Sequence, residues 1–258
     1  RTMVSGDSMY PYLHNKDQLM MDKLSYRFHD PERFDIIVFP VVRDGKEEYY
    51  IKRVIGLPGE TDDDLRGIVD LACKVVEGYY SLPKEQRTKP PQVTISVSPF
   101  VPKPFTPFQW EPQPTLEEIQ RKQRVILEAV KPHKRIKFNT HNANTSALEG
   151  VVARGDRRLA PAIVRAYQMG ARFDGWSECF NYERWMEAFE KEGVDPAFYA
   201  NRTREKDEVF PYEHLDPMIS RNYLWLEKQR SLQGKTTPDC RKGCQGCGMM
   251  EICGVTKQ

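Results

Sequence analysis

Apolar and polar positions follow two different rhythms along this chain. Over residues 1–61 the apolar runs are short and rich in Val, Ile, Tyr and Phe: Gln18–Asp22, Ile36–Phe39 and Tyr49–Ile55, separated by Pro, Gly and Asp. Such residues suit a pleated, half-buried surface, so these runs are expected to be strands. From Asp62 the period lengthens. Leu65, Ile68, Val69, Leu71, Ala72, Val75 and Val76 follow an acidic start, which predicts an amphipathic helix over Asp62–Tyr79 with negative charge at its N-terminus. Gln92–Ser98 alternates as a strand does, and Pro99–Pro114 holds too many prolines to be helical. Thr115 and Glu118 have capping-box spacing at the head of a helix over Thr115–Val130. A short strand over Arg135–Asn139 comes next, then helices near Ala143–Ala153, Arg158–Met169, Tyr182–Glu192 and Ser220–Leu232.

Strand–helix alternation after residue 62 predicts an α/β layout with parallel strands, preceded by a β-rich segment and followed by a mostly helical region. The divisions expected are 1–61, 62–150 and 151–258. Composition changes this picture only at its edges. The 258 residues carry 39 basic and 37 acidic side chains, a net charge of +2, of which −1 falls on residues 1–61 and +3 on the remainder. With no concentrated basic excess, a nucleic-acid partner is not expected. The apolar runs are far shorter than the ~20 residues that cross a bilayer. The chain opens on Arg1 with no signal-peptide pattern, and is expected to be a soluble piece of something longer.

Candidate chemistry sits early. Ser8 lies in Ser5-Gly6-Asp7-Ser8-Met9-Tyr10-Pro11, a small, glycine-containing approach to the first strand that leaves the hydroxyl accessible and lets backbone N–H groups converge on it. Lys52 lies inside the apolar run Tyr50-Ile51-Lys52-Arg53-Val54-Ile55. A lysine held in such surroundings loses hydration, its ammonium is disfavoured, and the neutral amine can take a proton from a serine hydroxyl. An exposed turn serine and a strand lysine pointing to water account for the same two residues without any chemistry.

Three blocks in order change that balance. Gly6–Pro11, Arg33-Phe34-Asp35-Ile36-Ile37-Val38-Phe39 and Lys52-Arg53-Val54-Ile55-Gly56-Leu57-Pro58-Gly59-Glu60 resemble the nucleophile block, second strand and lysine block of bacterial type I signal peptidases. The resemblance implies a serine endopeptidase with Ser8 as nucleophile and Lys52 as general base. It also implies that the Ser8 N–H serves the oxyanion hole, that Met9 shapes the substrate site, and that no cofactor is needed. Secretory preproteins are the implied substrates, at the plasma membrane with an extracytoplasmic active site. Membrane association is expected only of a full-length peptidase carrying the anchor that would precede Thr2. Gly155-Asp156-Arg157-Arg158 begins like the family's late block, but Leu159-Ala160-Pro161-Ala162 supplies no serine, so the catalytic domain is expected to be truncated.

Residues 55–258 resemble a second family. Gly56-Leu57-Pro58-Gly59-Glu60-Thr61 followed by Asp62–Leu65, the stretch Ser96–Trp110, Ala171–Glu178 and Thr236–Cys240 are similar to the C-terminal region of radical SAM proteins that carry a cobalamin-binding-type domain. This resemblance implies a partial (β/α) barrel over 62–150 and a helical C-terminal region over 151–258, both cytoplasmic, without the early three-cysteine loop that holds the SAM-cleaving cluster. Because the string Gly56–Thr61 suits both families, the chain is expected to be a chimera joined there.

Four of the six cysteines crowd together as Cys240-x3-Cys244-x2-Cys247-x5-Cys253, interleaved with Gly243, Gly246, Gly248 and Gly254. Thiolates so close, on a chain free to turn, can surround a zinc ion or an auxiliary Fe–S cluster. Disulfides and free thiols remain alternatives. Cys73 and Cys179 read as small buried hydrophobes. His133, His141 and His214 lack metal-ligand spacing, and Trp110, Trp176, Trp185 and Trp225 read as packing anchors.

Overall fold

The computed structural model describes the backbone at 2–3, 18–19, 37–43 and 46–55, and backbone with side chains at 60–87, 90–238, 240 and 243–249. Two compact units divide the chain. The first comprises Arg1–Pro99 with Glu117–His141, the second Phe100–Leu116 with Asn142–Gln258.

In the first unit, β1 (Thr2–Met3) and β2 (Gln18–Leu19) pair antiparallel. A four-stranded sheet runs in the order β3 (Ile37–Arg43), β4 (Lys46–Ile55), β5 (Val93–Pro99) and β6 (Ile136–Thr140). β3 and β4 are antiparallel, and the two residues between them, Asp44 and Gly45, are a pair favoured in tight hairpins. β4, β5 and β6 run parallel. Parallel neighbours require crossover connections, and helices α1 (Asp62–Ser81) and α2 (Leu116–Val130) supply them.

α1 starts where it does because Thr61 caps it. The Thr61 hydroxyl accepts from the Asp64 N–H, while the Asp64 carboxylate accepts from the Thr61 N–H at 2.9 Å. Asp62, Asp63 and Asp64 then place negative charge on the first turn, where the helix dipole favours it. Leu65, Ile68, Val69 and Ala72 recur at helical spacing on one face. They pack with Val93, Ile95 and Val97 of β5, with Ile126 and Val130 of α2, and with Ile136 of β6. Each fully buried Leu or Ile there is worth about 1.5–3 kcal/mol.

The second unit is mainly helical among the described residues: α3 (Ala143–Arg154), α4 (Ala160–Gln168), α5 (Tyr182–Lys191), α6 (Pro196–Ala200) and α7 (Arg221–Leu232). Leu148 and Val151 of α3, Ala162 of α4, Phe189 of α5, and Tyr199 and Ala200 of α6 form one core. The helix expected from Arg158 is instead a 3-10 turn over Arg157–Leu159 followed by α4. Asp156 accepts from the Arg158 N–H and caps the turn, and Pro161 stands in the first turn of α4, where its missing N–H costs nothing.

Beyond Pro99, which ends β5, the proline-rich stretch is neither helix nor strand, as its composition requires, and is stitched into this unit by its polar groups. The Gln113 N–H donates to the Ala200 carbonyl at 2.8 Å, its buried carboxamide donates to the Ser146 carbonyl at 2.7 Å, and Asn201 donates to the Gln113 carbonyl at 2.9 Å. Gly150 makes room for that carboxamide, since a Cβ there would overlap it. Gly150→Ala is therefore expected to destabilise the unit by about 1–3 kcal/mol, as overpacking does. An unchanged urea midpoint would show that Gln113 can swing aside.

Candidate active site

Ser8 and Met9 lie outside the described residues. Lys52 is placed through its backbone. It stands late in β4, an interior strand, opposite Ile37 of β3 and opposite Ser96 of β5. On β5, Val93, Ile95 and Val97 are buried against the helices, while Ser96 and Ser98 alternate with them at half-buried positions.

Polar groups gather where the chain leaves β4, β5 and β6 at their C-terminal ends, the side of a parallel sheet on which ligands usually bind. Beyond β4, Glu60 meets Lys122 of α2, its Oε2 3.5 Å from Nζ; the two side chains are only 10% and 9% exposed. Arg121, one residue earlier, donates to Asp62 at 2.6 Å and to Glu118 at 2.7 and 2.9 Å. Hydrogen bonding from Arg121 holds both carboxyls below their ordinary range, and the two carboxylates in turn raise the guanidinium further. Beyond β5 and β6, the Ser98 hydroxyl lies 3.5 Å from His141 Nε2, and the Gln123 carboxamide donates to Thr140 Oγ1 at 2.9 Å and to the His141 carbonyl at 3.0 Å. Sequence spacing alone gives little hint of this group, because its contacts, Arg121–Glu118 apart, join residues 17 to 62 positions away from each other.

The cysteines are placed in part. Cys240, Cys244 and Cys247 are free thiols, and Cys253 lies outside the described residues. Among the described residues no group of three or more His, Cys, Asp or Glu side chains is positioned to hold a metal ion. Cys73 has a partner that the sequence does not announce. Its Sγ lies 3.4 Å from His133 Nδ1, and burial together with Asp70 and Glu77 pushes its thiol up, away from a reactive thiolate.

In the second unit Trp110 is fully buried, with Trp225 5.1 Å away edge-on and Phe210 at 5.8 Å. Trp185 packs on Phe189, but Trp176 is 64% exposed and anchors no core. Arg154 is buried as well, donating to the Ala200 and Arg202 carbonyls at 2.7 and 2.9 Å. Desolvation, reinforced by the charges of Arg204 and Arg202, lowers its pKa to about 10. Asp156, in the string that begins like a peptidase block, serves this scaffold: it accepts from Arg158 and from the Tyr199 hydroxyl. A cavity of ≈ 250 Å³ opens among Phe105, Gln109, Tyr212 and Arg221. No described helix is long and apolar enough to cross a membrane.

Comparison with known proteins bears on the first half. The sequence model of the family described as "Signal peptidase, peptidase S26" matches residues 1–89. A signal peptidase I of Leptolyngbya laminosa is 38% identical over 97 residues, covering 35% of this chain and 48% of that protein. One from Bacillus caldolyticus is 41% identical over 85 residues, 33% of this chain and 45% of its own length. The chain thus spans about half the length of these relatives. An uncharacterized protein of Methanocaldococcus jannaschii is 26% identical over 150 residues, 58% of this chain and 31% of that protein. A match of 150 residues cannot fit inside residues 1–89, so that similarity extends past the peptidase span. No solved structure matches the chain. The family match runs through α1 and beyond the string Gly56–Thr61, and the N-terminal part of this chain carries a signal-peptidase-I-like region of the S26 type.

Proposed function

We propose that this region is the Ser/Lys portion of an endopeptidase that removes signal peptides from secretory preproteins. Ser8 is the nucleophile, Lys52 the general base, and the Ser8 N–H an oxyanion donor, with Met9 beside the substrate; no cofactor takes part. The observation that carries this reading is the match over residues 1–89, which includes the Gly6–Pro11 and Lys52–Glu60 blocks in their expected order. In such a dyad the amine takes the serine proton as Oγ attacks the scissile carbonyl, and returns it to the departing amine. The acyl-enzyme is then hydrolysed by water activated by the same lysine. The substrate places this chemistry at the extracytoplasmic face of the plasma membrane. The test is cleavage of a signal-peptide reporter by the chain beside Ser8→Ala. Cleavage by the parent and none by the variant is expected; cleavage by both, or by neither, would overturn the reading.

A second reading concerns the residues beyond the peptidase blocks. The parallel run β4–α1–β5–α2–β6, and a similarity to the Methanocaldococcus jannaschii protein that extends past residue 89, support a separate α/β origin for the later residues. That they are the cytoplasmic C-terminal part of a radical SAM protein joined at Gly56–Thr61 rests on the sequence resemblance of stretches such as Ser96–Trp110 and Thr236–Cys240 alone. In a tryptic digest of source cells the join-spanning peptide Val54–Arg66 is expected with its neighbours. Repeated detection of the flanking peptides without it would count against one translated chain.

A further inference from the structure

The cavity of ≈ 250 Å³ in the second unit has no part in either reading, and its walls define the chemistry of an occupant. Phe105, Phe210 and Tyr212 supply aromatic faces. The Phe105 ring meets Tyr212 edge-on at 5.1 Å, and Phe210 stacks on Tyr212 at 5.3 Å. Phe105 reaches that place with a φ of 58°, a left-handed backbone in which a bulky residue is an outlier. Its N–H donates to Gln109 Oε1 at 3.0 Å, and the Tyr212 hydroxyl donates to the same oxygen at 3.2 Å. A backbone N–H can only donate, so the atom it meets is the carboxamide oxygen and the amide orientation is fixed. Gln109 is only 4% exposed, and with its oxygen doubly occupied it offers the cavity it lines an NH2 group. Among the described residues nothing accepts from that group.

We propose that this cavity binds a small, neutral aromatic amide, its ring among Phe105, Phe210 and Tyr212 and its carbonyl oxygen accepting from the Gln109 NH2. The volume suits a ring with one substituent, since ~150 Å³ is already enough for benzene. The ligand's own N–H groups find acceptors in the same lining. His214 Nδ1 lies 3.1 Å from the Pro211 carbonyl, which puts the proton on Nδ1 and leaves Nε2 to accept in the neutral ring. Asp216 accepts the Met218 N–H at 2.7 Å through Oδ1, which leaves Oδ2. Charge decides against an acid. Arg221, which also lines the cavity, is paired with Glu213 and donates to the Lys206 and Glu208 carbonyls at 2.5 and 2.6 Å. Its charge is therefore already matched, and Asp216 would repel a ligand carboxylate. A purely apolar ligand would strip the Gln109 donor of water without replacing its hydrogen bonds.

The experiment titrates benzamide into the isotopically labelled full chain and follows its NMR spectrum. Benzamide should bind with a Kd of about 1 mM or tighter and should move the side-chain NH2 signals of Gln109. Toluene and benzoate should bind at least about tenfold more weakly, the first for want of an acceptor and the second because of its charge. Gln109→Glu is the matched change: it keeps the oxygen that Phe105 and Tyr212 hold and replaces the donor with a carboxylate oxygen. That variant should bind benzamide about tenfold more weakly, and benzylammonium more tightly than the parent does. Should it misfold, the Gln109 signals of the parent chain still decide. No shift of those signals, toluene or benzoate bound as tightly as benzamide, or benzamide bound unchanged by a folded Gln109→Glu would each overturn the proposal.

Discussion

Lys52→Ala is expected to lower reporter cleavage by a factor on the order of 10⁴ or more, as removing one member of a catalytic unit does. The pH profile carries more information than the loss itself. A free lysine titrates near 10.4, whereas one held in apolar surroundings can fall to ~7–8. Activity of the parent chain should therefore rise with pH through the titration of the amine and level off once it is neutral. Lys52→Arg should be as inactive as Lys52→Ala, because a guanidinium keeps the charge but cannot take the serine proton near neutral pH. Lys52→His should keep a small residual rate whose rise moves toward pH ~6.5, the ordinary range of imidazole. A merely structural lysine would give the opposite pattern, with arginine tolerated and the pH limb unmoved by histidine.

How much of the fold is legible in the sequence depends on the range of the interaction. α1 is plain because Leu65, Ile68, Val69 and Ala72 form a stripe that must find a core, and the strand over Val93–Pro99 because its residues alternate. α6 escapes a reading by period because five residues show none; Asp195 as cap and Pro196 in its first turn are the signals that could reveal it. Strand order is out of reach. Nothing local says that Lys52 stands opposite Ser96, since that register is set by two crossovers and the core they share. The first unit breaks off where the proline-rich run begins, but nothing local says that residues 100–116 join those after 142, through hydrogen bonds such as Gln113 to Ala200. Of the candidate sites, the serine and lysine are readable because short motifs hold them. The Glu60–Lys122 pair and the Cys73–His133 contact are not, because each joins residues about 60 apart.

Glu111→Leu is expected to cost the second unit about 3–5 kcal/mol, the usual penalty for leaving one member of a buried ion pair alone. Glu111 and Lys228 are 8% and 5% exposed, and Oε1 lies 2.6 Å from Nζ. Lys228 also lies 4.6 Å from the centre of the Trp225 ring, which eases its burial but cannot replace a carboxylate. Without Glu111 the ammonium must stay buried and unpaired or drag α7 outward to reach water. Either course disturbs Leu224 and Trp225, which pack on Trp110, so tryptophan fluorescence should report the loss together with a melting temperature lower by roughly ten degrees. The double variant Glu111→Leu/Lys228→Met separates charge from shape. Two apolar side chains of similar bulk remove the stranded charge, and stability should return to within ~1–2 kcal/mol of the parent. A double variant no better than the single would mean that the pair contributes packing rather than mutual neutralisation.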